Sequence, residues 1–247
     1  MRLRLGLLSL LLLCLAIPAL KAQIVPAVPV VDFGLIREAD GPAPYRLYVV
    51  NADSVPVAIK RVSTSCGCTA ASFMQEYFAP GDSAWIDISF NPSFRPGRFE
   101  KVVKVYPTSG ETLRIPVTCM VDADEATVRE LFPVDGGLLH LSEKQFVSYK
   151  PTGEEQRNIY IDVYNSNDFP VWIKVENDDV AFTWFTDTNP LPAKDKSLIL
   201  LNINPRREKR KDITEYKANL YTSTSEADLE KAAPVELKVL IDNHGTP

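Results

Sequence analysis

The chain has 247 residues, with 27 Lys and Arg against 32 Asp and Glu, and its formal net charge is −5. An acidic chain repels the phosphate backbone, so this balance argues against nucleic acid as a partner. The basic run at residues 206–211 is the one counterargument, and its composition favours a solvated loop over a docking patch for an acidic partner. The length favours one or two domains, and the 19 prolines and 9 tyrosines favour short strands and loops.

The first 22 residues predict a secretory signal peptide. Arg2 and Arg4 precede an apolar run from Leu5 to Ile17, and small residues suited to cleavage follow as far as Ala22. The run is shorter than the roughly 20 residues that a transmembrane helix needs, so no transmembrane anchor is expected. We therefore predict an exported protein, periplasmic or secreted. Cleavage would remove three basic residues and no acidic one, which lowers the formal net charge from −5 to −8.

Strand-like segments separated by turn residues follow as far as residue 121. Residues 45–51 alternate with a period of two, as a half-buried strand requires. Pro80-Gly81-Asp82 predicts a turn before a further alternating segment. The predicted strands are 28–34, 45–51, 55–62, 84–90, 99–106 and 113–121. Short strands with frequent turns, about seven to a domain, are typical of an immunoglobulin-like β-sandwich.

The second half of the chain repeats the first. Residues 51–60, NADSVPVAIK, correspond to residues 165–174, NSNDFPVWIK. Residues 88–92, ISFNP, correspond in the same way to residues 201–205, LNINP. The period is that of a whole domain, since solenoid repeats are only about 20 to 50 residues long. The sequence therefore predicts an all-β protein with two tandem immunoglobulin-like β-sandwich domains.

A short helix is predicted between the two copies, within residues 122–131. Asp124 is a candidate N-cap, and Val128 with Leu131 supplies a narrow apolar edge. The predicted organisation is a signal peptide at 1–22, a sandwich at 23–121, a linker with a short helix at 122–139 and a second, divergent sandwich at 140–247.

Cleavage of the signal peptide would also remove Cys14 and leave Cys66, Cys68 and Cys119. Three is an odd number for an oxidising compartment, so at least one thiol is free, metal-bound or intermolecular. Cys119 alternates with apolar residues on a predicted strand, and its counterpart in the repeat is Val239. This favours a buried structural thiol, with a disulfide to Cys66 or Cys68 as the rival interpretation.

The Cys66-Gly67-Cys68 motif leaves three interpretations open. The counterparts of the two cysteines in the repeat, Val180 and Phe182, are apolar and favour core packing. A disulfide closed over one glycine would be strained and easily reduced, which suits redox chemistry. Two thiolates also suit a soft metal or an intermolecular bridge, although the further paired Cys or His of a zinc site is missing. No cofactor is expected.

No catalytic motif stands out, and no residue is predicted to be catalytic. His140 and His244 are the two histidines, and neither has the sequence setting of a fixed catalytic base. Aromatic residues near loops are candidates for contact with a partner, although each suits a core position equally well. These candidates are Tyr77, Phe78, Phe94, Trp184 and Phe185.

A family resemblance is carried by Ser65-Cys66-Gly67-Cys68-Thr69, Pro80-Gly81, Phe90-Asn91-Pro92 and Gly97-Arg98-Phe99. With these motifs the first domain resembles the bacterial family called domain of unknown function 1573. The resemblance covers residues 28–121 well and residues 140–242 weakly. It implies a hydin-type or PapD-like immunoglobulin sandwich, export, and often a second divergent sandwich, but no activity.

The sequence thus favours a non-enzymatic exported protein of the cell envelope that acts as a structural or protein-interaction module. The expected partner is another envelope or secreted protein, bound through loops or exposed strand edges. The alternative is a thiol redox or soft-metal-binding protein that uses Cys66 and Cys68.

Overall fold

The computed structural model describes residues 24–65, 67, 69–149, 157–177, 182–203 and 214–242. The predicted signal peptide, Cys66, Cys68, the basic run at 206–211 and His244 lie outside these residues. Within the described ranges, no helix is long and apolar enough to cross a bilayer.

The first half of the described chain forms two four-stranded sheets, with strand orders β1-β3-β6-β5 and β2-β8-β7-β4. The strands are β1 (Ile24–Pro26), β2 (Val31–Arg37), β3 (Ala43–Asn51), β4 (Ile59–Thr64), β5 (Thr69–Phe73), β6 (Ser83–Phe90), β7 (Gly97–Pro107) and β8 (Leu113–Asp122). Every second residue of β6 is buried, as the period of two predicts. Four of the predicted strands agree closely with β3, β6, β7 and β8.

The strand predicted at 55–62 begins only at Ile59. Pro56 has no N–H to donate, and Val57 forms an isolated bridge with Phe78 instead of a ladder. Strand β5 was not predicted, because Thr-Ala-Ala-Ser-Phe carries little apolar alternation. The short strand β1 was missed as well.

The second half forms two further sheets, with strand orders β14-β15-β12-β10-β9 and β11-β17-β16-β13. The strands are β9 (Val134–Asp135), β10 (His140–Leu141), β11 (Gln145–Tyr149), β12 (Arg157–Tyr164), β13 (Trp172–Asn177), β14 (Phe182–Thr186), β15 (Lys196–Ile203), β16 (Thr214–Ser223) and β17 (Val235–Asp242). Ile161 and Ile199 from one sheet pack in one hydrophobic core with Leu220 and Val239 from the other. The all-β sandwich fold predicted from the sequence is confirmed.

The predicted helix is present as α1 (Glu125–Leu131). Asp124 is its N-cap, and its side chain accepts a hydrogen bond from the backbone N–H of Thr127. Val128 is buried as predicted, but Leu131 is exposed, and Phe132 after the helix supplies the second buried side chain. Two 3-10 turns, Glu38–Asp40 and Glu226–Lys231, complete the helical structure of the described chain.

The sequence repeat is also a repeat of hydrogen bonds. The buried Asn51 side chain donates to the carbonyls of Val55 (2.9 Å) and Phe78 (3.1 Å). Asn165 donates in the same way to the carbonyls of Phe169 (2.8 Å) and Leu191 (3.1 Å). Each asparagine therefore closes the loop that follows it and links that loop to a residue of the nearby β-bridge, Phe78 or Leu191.

The described chain divides into two compact units. One comprises residues 24–31, 44–89 and 102–116, and the other comprises residues 32–43, 90–101 and 117–242. The domain boundaries inferred from the repeat, at 121/122 and 139/140, stay a prediction.

Candidate interaction surface

An aromatic row lies on the outward face of the sheet formed by β12, β15 and β14, in the second compact unit. Tyr160 and Phe185 are each opposite Leu200 across the strand ladders. Ile199 and Leu201 are buried, so Leu200 between them faces outward. Tyr160 is 54% exposed and Phe185 is 59% exposed. We call Tyr160, Leu200 and Phe185 the aromatic row.

A groove of ≈ 550 Å³ lies next to the aromatic row, two residues further along the same face of each strand. Leu198, two residues before Leu200, lines the groove, and Asp162 and Asp187 line it two residues from Tyr160 and Phe185. The full lining is Phe94, Pro96, Leu131, Phe132, Asp162, Asp187, Lys196, Ser197 and Leu198. The aromatic row and this groove together are the apolar surface. Large apolar side chains clustered in the open in this way are typical of interaction sites.

Phe94 is held at the groove by an unusual backbone. Its φ is 55°, a left-handed conformation that is uncommon for a bulky residue, and its side chain is 54% exposed. Its N–H donates to Glu38 Oε1 at 2.7 Å. Strained backbone that presents an exposed aromatic ring is more typical of a functional site than of a core position.

Glu38 is the anchor of this arrangement. The carboxylate is 8% exposed and accepts three hydrogen bonds: from Phe94 N, from Thr127 Oγ1 at 2.7 Å and from Asp124 N at 3.0 Å. A buried carboxylate needs such donors, because burial without them would be costly. Glu38 therefore joins the Phe94 loop to the start of helix α1.

The other side of the Phe94 loop is fixed by a buried aspartate. Asp195 Oδ1 accepts hydrogen bonds from the backbone N–H of Arg98 and of Lys196, both at 2.9 Å. Gly97 has a φ of 83°, and a Cβ there would lie 2.9 Å from Lys196 N. Only glycine permits the backbone of the loop to approach strand β15 this closely.

Beneath the groove, Phe132 stacks on Tyr164 with ring centroids 5.6 Å apart. Tyr164 is fully buried, and its hydroxyl accepts a hydrogen bond from Ala123 N at 3.1 Å. Burial raises the pKa of Tyr164, and the hydrogen bond from Ala123 opposes this effect. The groove therefore has a rigid aromatic floor.

The predicted partner-contact residues divide between surface and core. Phe94 and Phe185 lie on the apolar surface, whereas Tyr77 is 67% exposed in the other compact unit. Phe78 is a correction: it is 4% exposed, because its bridge with Val57 buries it. Trp184 is partly buried and packs against the hydrophobic core from the inward face of β14, and its predicted partner contact stays a prediction.

The sequence interpretation missed Tyr160, Leu198, Leu200 and Leu131. A signal was present in the run Leu198-Ile199-Leu200-Leu201, which is continuously apolar where a half-buried strand alternates. Such a run places leucines on the outward face of the strand as well as on the core face.

A second cluster surrounds Lys194, in a pocket of ≈ 460 Å³ that His140 also lines. Lys194 has a φ of 58°, and its Nζ lies 2.8 Å from the Ser166 carbonyl, 3.1 Å from Asp168 and 3.3 Å from Asp122. Burial lowers the pKa of Lys194, but the bonds to Asp168 and Asp122 outweigh it and leave the pKa raised. This ammonium has three acceptors and serves as a structural tie.

His140 lies beside this tie, with Nε2 3.0 Å from Ser166 Oγ. A serine nucleophile needs its histidine oriented by a third group. Within the described ranges, no carboxylate bonds to the other ring nitrogen of His140. The contact is therefore not assigned to catalysis.

Cys119 is buried, 5% exposed, and free. Burial, with a smaller effect of the charge on Asp32, raises the pKa of Cys119 to about 11. A protonated, inaccessible thiol is a poor redox nucleophile and a poor metal ligand. In the part of the chain that the structure describes, no group of three His, Cys, Asp or Glu side chains forms a metal site.

Residues 26–121 match the family model described as "Protein of unknown function (DUF1573)". A sequence comparison with curated proteins finds no match. A protein of unknown function from Porphyromonas gingivalis W83 is similar over 89% of this chain and 99% of its own, at 14% identity and a TM-score of 0.36. The YadV chaperone is similar over 87% of this chain and 98% of its own, at 14% identity and a TM-score of 0.32. The secreted serine protease VesC from Vibrio cholerae is similar over 75% of this chain and 47% of its own, at 10% identity and a TM-score of 0.37.

Proposed function

We propose that this protein is a non-enzymatic, exported interaction module of the cell envelope, and that it docks another envelope or secreted protein on the apolar surface. One observation carries the proposal: Tyr160 and Phe185 are both more than half exposed and are neighbours across Leu200. Aromatic side chains of this kind are favoured anchors in protein interfaces.

The groove adds further apolar and polar contact groups next to the aromatic row. Phe94 and Leu198 offer apolar contact, and Asp162, Asp187 and Lys196 offer polar groups at the rim. An apolar centre with a polar rim is the usual arrangement of a specific protein interface. Because the strand ladders and Glu38 fix this surface before binding, little conformational entropy is lost when a partner docks.

The test is site-specific photo-crosslinking in the native cell. A photoreactive phenylalanine analogue is placed at Phe185, at Phe94 and, as a control, at Tyr48, an exposed aromatic of the other compact unit. We expect one protein adduct of the same mass from positions 185 and 94, and no such adduct from position 48. The absence of a shared adduct, or the same adduct from position 48, would overturn the proposal.

Export is a part of this proposal that is tested separately. Mature protein isolated from the envelope or the medium should begin near Gln23, as mass spectrometry of its N-terminus would show.

Intact mass and elemental analysis of the same sample, prepared without reductant, decide the thiol alternative. A Cys66–Cys68 bridge or stoichiometric copper would favour redox or metal chemistry over docking alone.

A further inference from the structure

A patch of cations covers the outward side of strands β4, β7 and β8 in the first compact unit. Arg61 is opposite Tyr106, and Ser63 is opposite Lys104, in the ladder between β4 and β7. Arg114 is exposed on β8, the neighbour of β7. Val103, Val105 and Ile115 alternate with these residues and are buried, so the polar set faces outward. We call Arg61, Lys104, Tyr106 and Arg114 the cationic face.

Among the residues that the structure describes, no carboxylate forms an ion pair with the cations of this face. Arg46, elsewhere in the same unit, shows the usual pairing, with bonds of 2.6 and 2.7 Å to the Asp87 carboxylate. No ion pair joins Arg61, Lys104 or Arg114 to a carboxylate of the described chain. Unpaired cations on neighbouring strands repel one another, and an anionic ligand would relieve this repulsion.

The guanidinium of Arg61 is held in place by Tyr106, with its central carbon 4.1 Å from the ring centroid. A hydrogen bond with Ser63 lowers the pKa of Tyr106, burial opposes this, and the charges of Arg61 and Lys104 lower it further. The phenol therefore lies in a positive field, and contact with its ring restricts the position of the planar Arg61 guanidinium.

The chemistry of the face selects among anionic ligands. The face of Tyr106 that would stack on a sugar is already covered by Arg61. The exposed apolar side chain beside the cations is that of Pro116 on β8, which is too small to anchor the face in a bilayer. The three cations are also fewer than the 4–8 of typical lipid-binding clusters. A protein carboxylate fits best, because it accepts paired N–H bonds from an oriented arginine.

Spacing supports an extended ligand. Arg61 and Lys104 are diagonal neighbours across the ladder of β4 and β7, a separation of roughly 7–8 Å. Alternate side chains of an extended peptide are roughly 7 Å apart, which is a similar spacing. We propose that the cationic face binds a partner protein through an extended segment of alternating acidic residues, whose carboxylates pair with Arg61, Lys104 and Arg114. This inference does not depend on the apolar surface.

The experiment measures binding of a fluorescein-labelled peptide of alternating Glu and Thr to the full chain by fluorescence anisotropy. A peptide of alternating Gln and Thr is the ligand control. We expect binding of the Glu peptide alone, weakened at least about tenfold by Lys104→Glu/Arg114→Glu and weakened by salt, because exposed charges are screened. The same variant should be no less stable than the wild type, since it relieves repulsion.

A matched charge control separates a local site from the overall charge. Lys144→Glu/Lys231→Glu changes the net charge equally on exposed residues of the other unit. The proposal holds if this variant binds the Glu peptide within about twofold of wild type. It is overturned if the control loses as much affinity, if the Gln peptide binds equally, or if phosphatidylglycerol vesicles or heparin bind this face and the Glu peptide does not.

Discussion

Thr127 Oγ1 donates a 2.7 Å hydrogen bond to Glu38 Oε1, although 89 positions separate the two residues in sequence. Both are buried, and the same carboxylate oxygen accepts the N–H of Phe94. One glutamate therefore fixes the first turn of helix α1 and the loop that carries an exposed aromatic ring. The apolar surface depends on this buried polar contact for its shape.

The substitution Glu38→Gln should lower the free energy of unfolding by about 2 kcal/mol. The amide of glutamine keeps one acceptor oxygen, but its NH2 group would face an N–H or O–H that donates to the carboxylate of Glu38. Urea unfolding measures the loss. Asp40→Asn is the control, because Asp40 is exposed and its ion pair is with the exposed Arg37, and it should cost less than about 0.5 kcal/mol. Equal losses in the two variants would contradict the assigned role.

Asn165→Asp should cost more than about 2 kcal/mol at neutral pH. The new carboxylate would face the carbonyl oxygens of Phe169, Leu191 and Pro192, which now accept bonds from the amide. Thermal unfolding compares it with Asn158→Asp, an exposed site on strand β12. If the loss of stability at position 165 were no larger than at position 158, the hydrogen bonds of the Asn165 amide would be dispensable.

Two glycines with positive φ provide a matched pair. A Cβ at Gly97 would lie 2.9 Å from Lys196 N, whereas a Cβ at Gly34 meets nothing within 4 Å. Both Ala variants carry the left-handed backbone cost of about 1–2 kcal/mol, but only Gly97→Ala adds a clash with backbone. We expect Gly97→Ala to be the less stable by at least about 1 kcal/mol in chemical denaturation. Similar stabilities would refute the close approach.

Phe94→Gly should be more stable than Phe94→Ala, by roughly 0.5–1 kcal/mol. Glycine relieves the left-handed strain at φ 55°, and the extra freedom of its unfolded chain offsets only part of that gain. Both variants remove the ring, so both should lose the crosslinked partner to the same extent. If the alanine variant were the more stable, strain at Phe94 would not be a cost of function.

Cys119 should make stability depend on pH above neutrality. Its pKa is about 11 in the folded protein, against an ordinary value of 9.0, so the unfolded chain loses the proton first. Stability is unaffected below pH 9 and falls between about 9 and 11, at no more than about 1.4 kcal/mol per pH unit. The difference between wild type and Cys119→Val isolates this effect from other titrations, and parallel curves would contradict it.

Local patterns were sufficient for much of this protein. Alternation located β3, β6, β7 and β8, because burial of one face of a strand leaves a period of two in the residues themselves. Asp124 identified the start of helix α1, since an N-cap bonds within its own turn. Asn51 and Asn165 marked the repeat for the same reason, because each has its first carbonyl partner only four residues away.

The apolar surface needed the tertiary structure. Phe94 and Phe185 were visible as aromatics near loops, but their place beside Leu198 and Leu200 follows from strand register and from a glutamate buried 56 residues before Phe94. Phe78 and Tyr77 are adjacent in sequence and opposite in burial, which depends on the bridge to Val57. The sequence alone determined the all-β class and its periodic cores, since those depend on neighbours along the chain. Tertiary structure decided which outward side chains meet, because their contacts join residues that are remote in sequence and leave no local period.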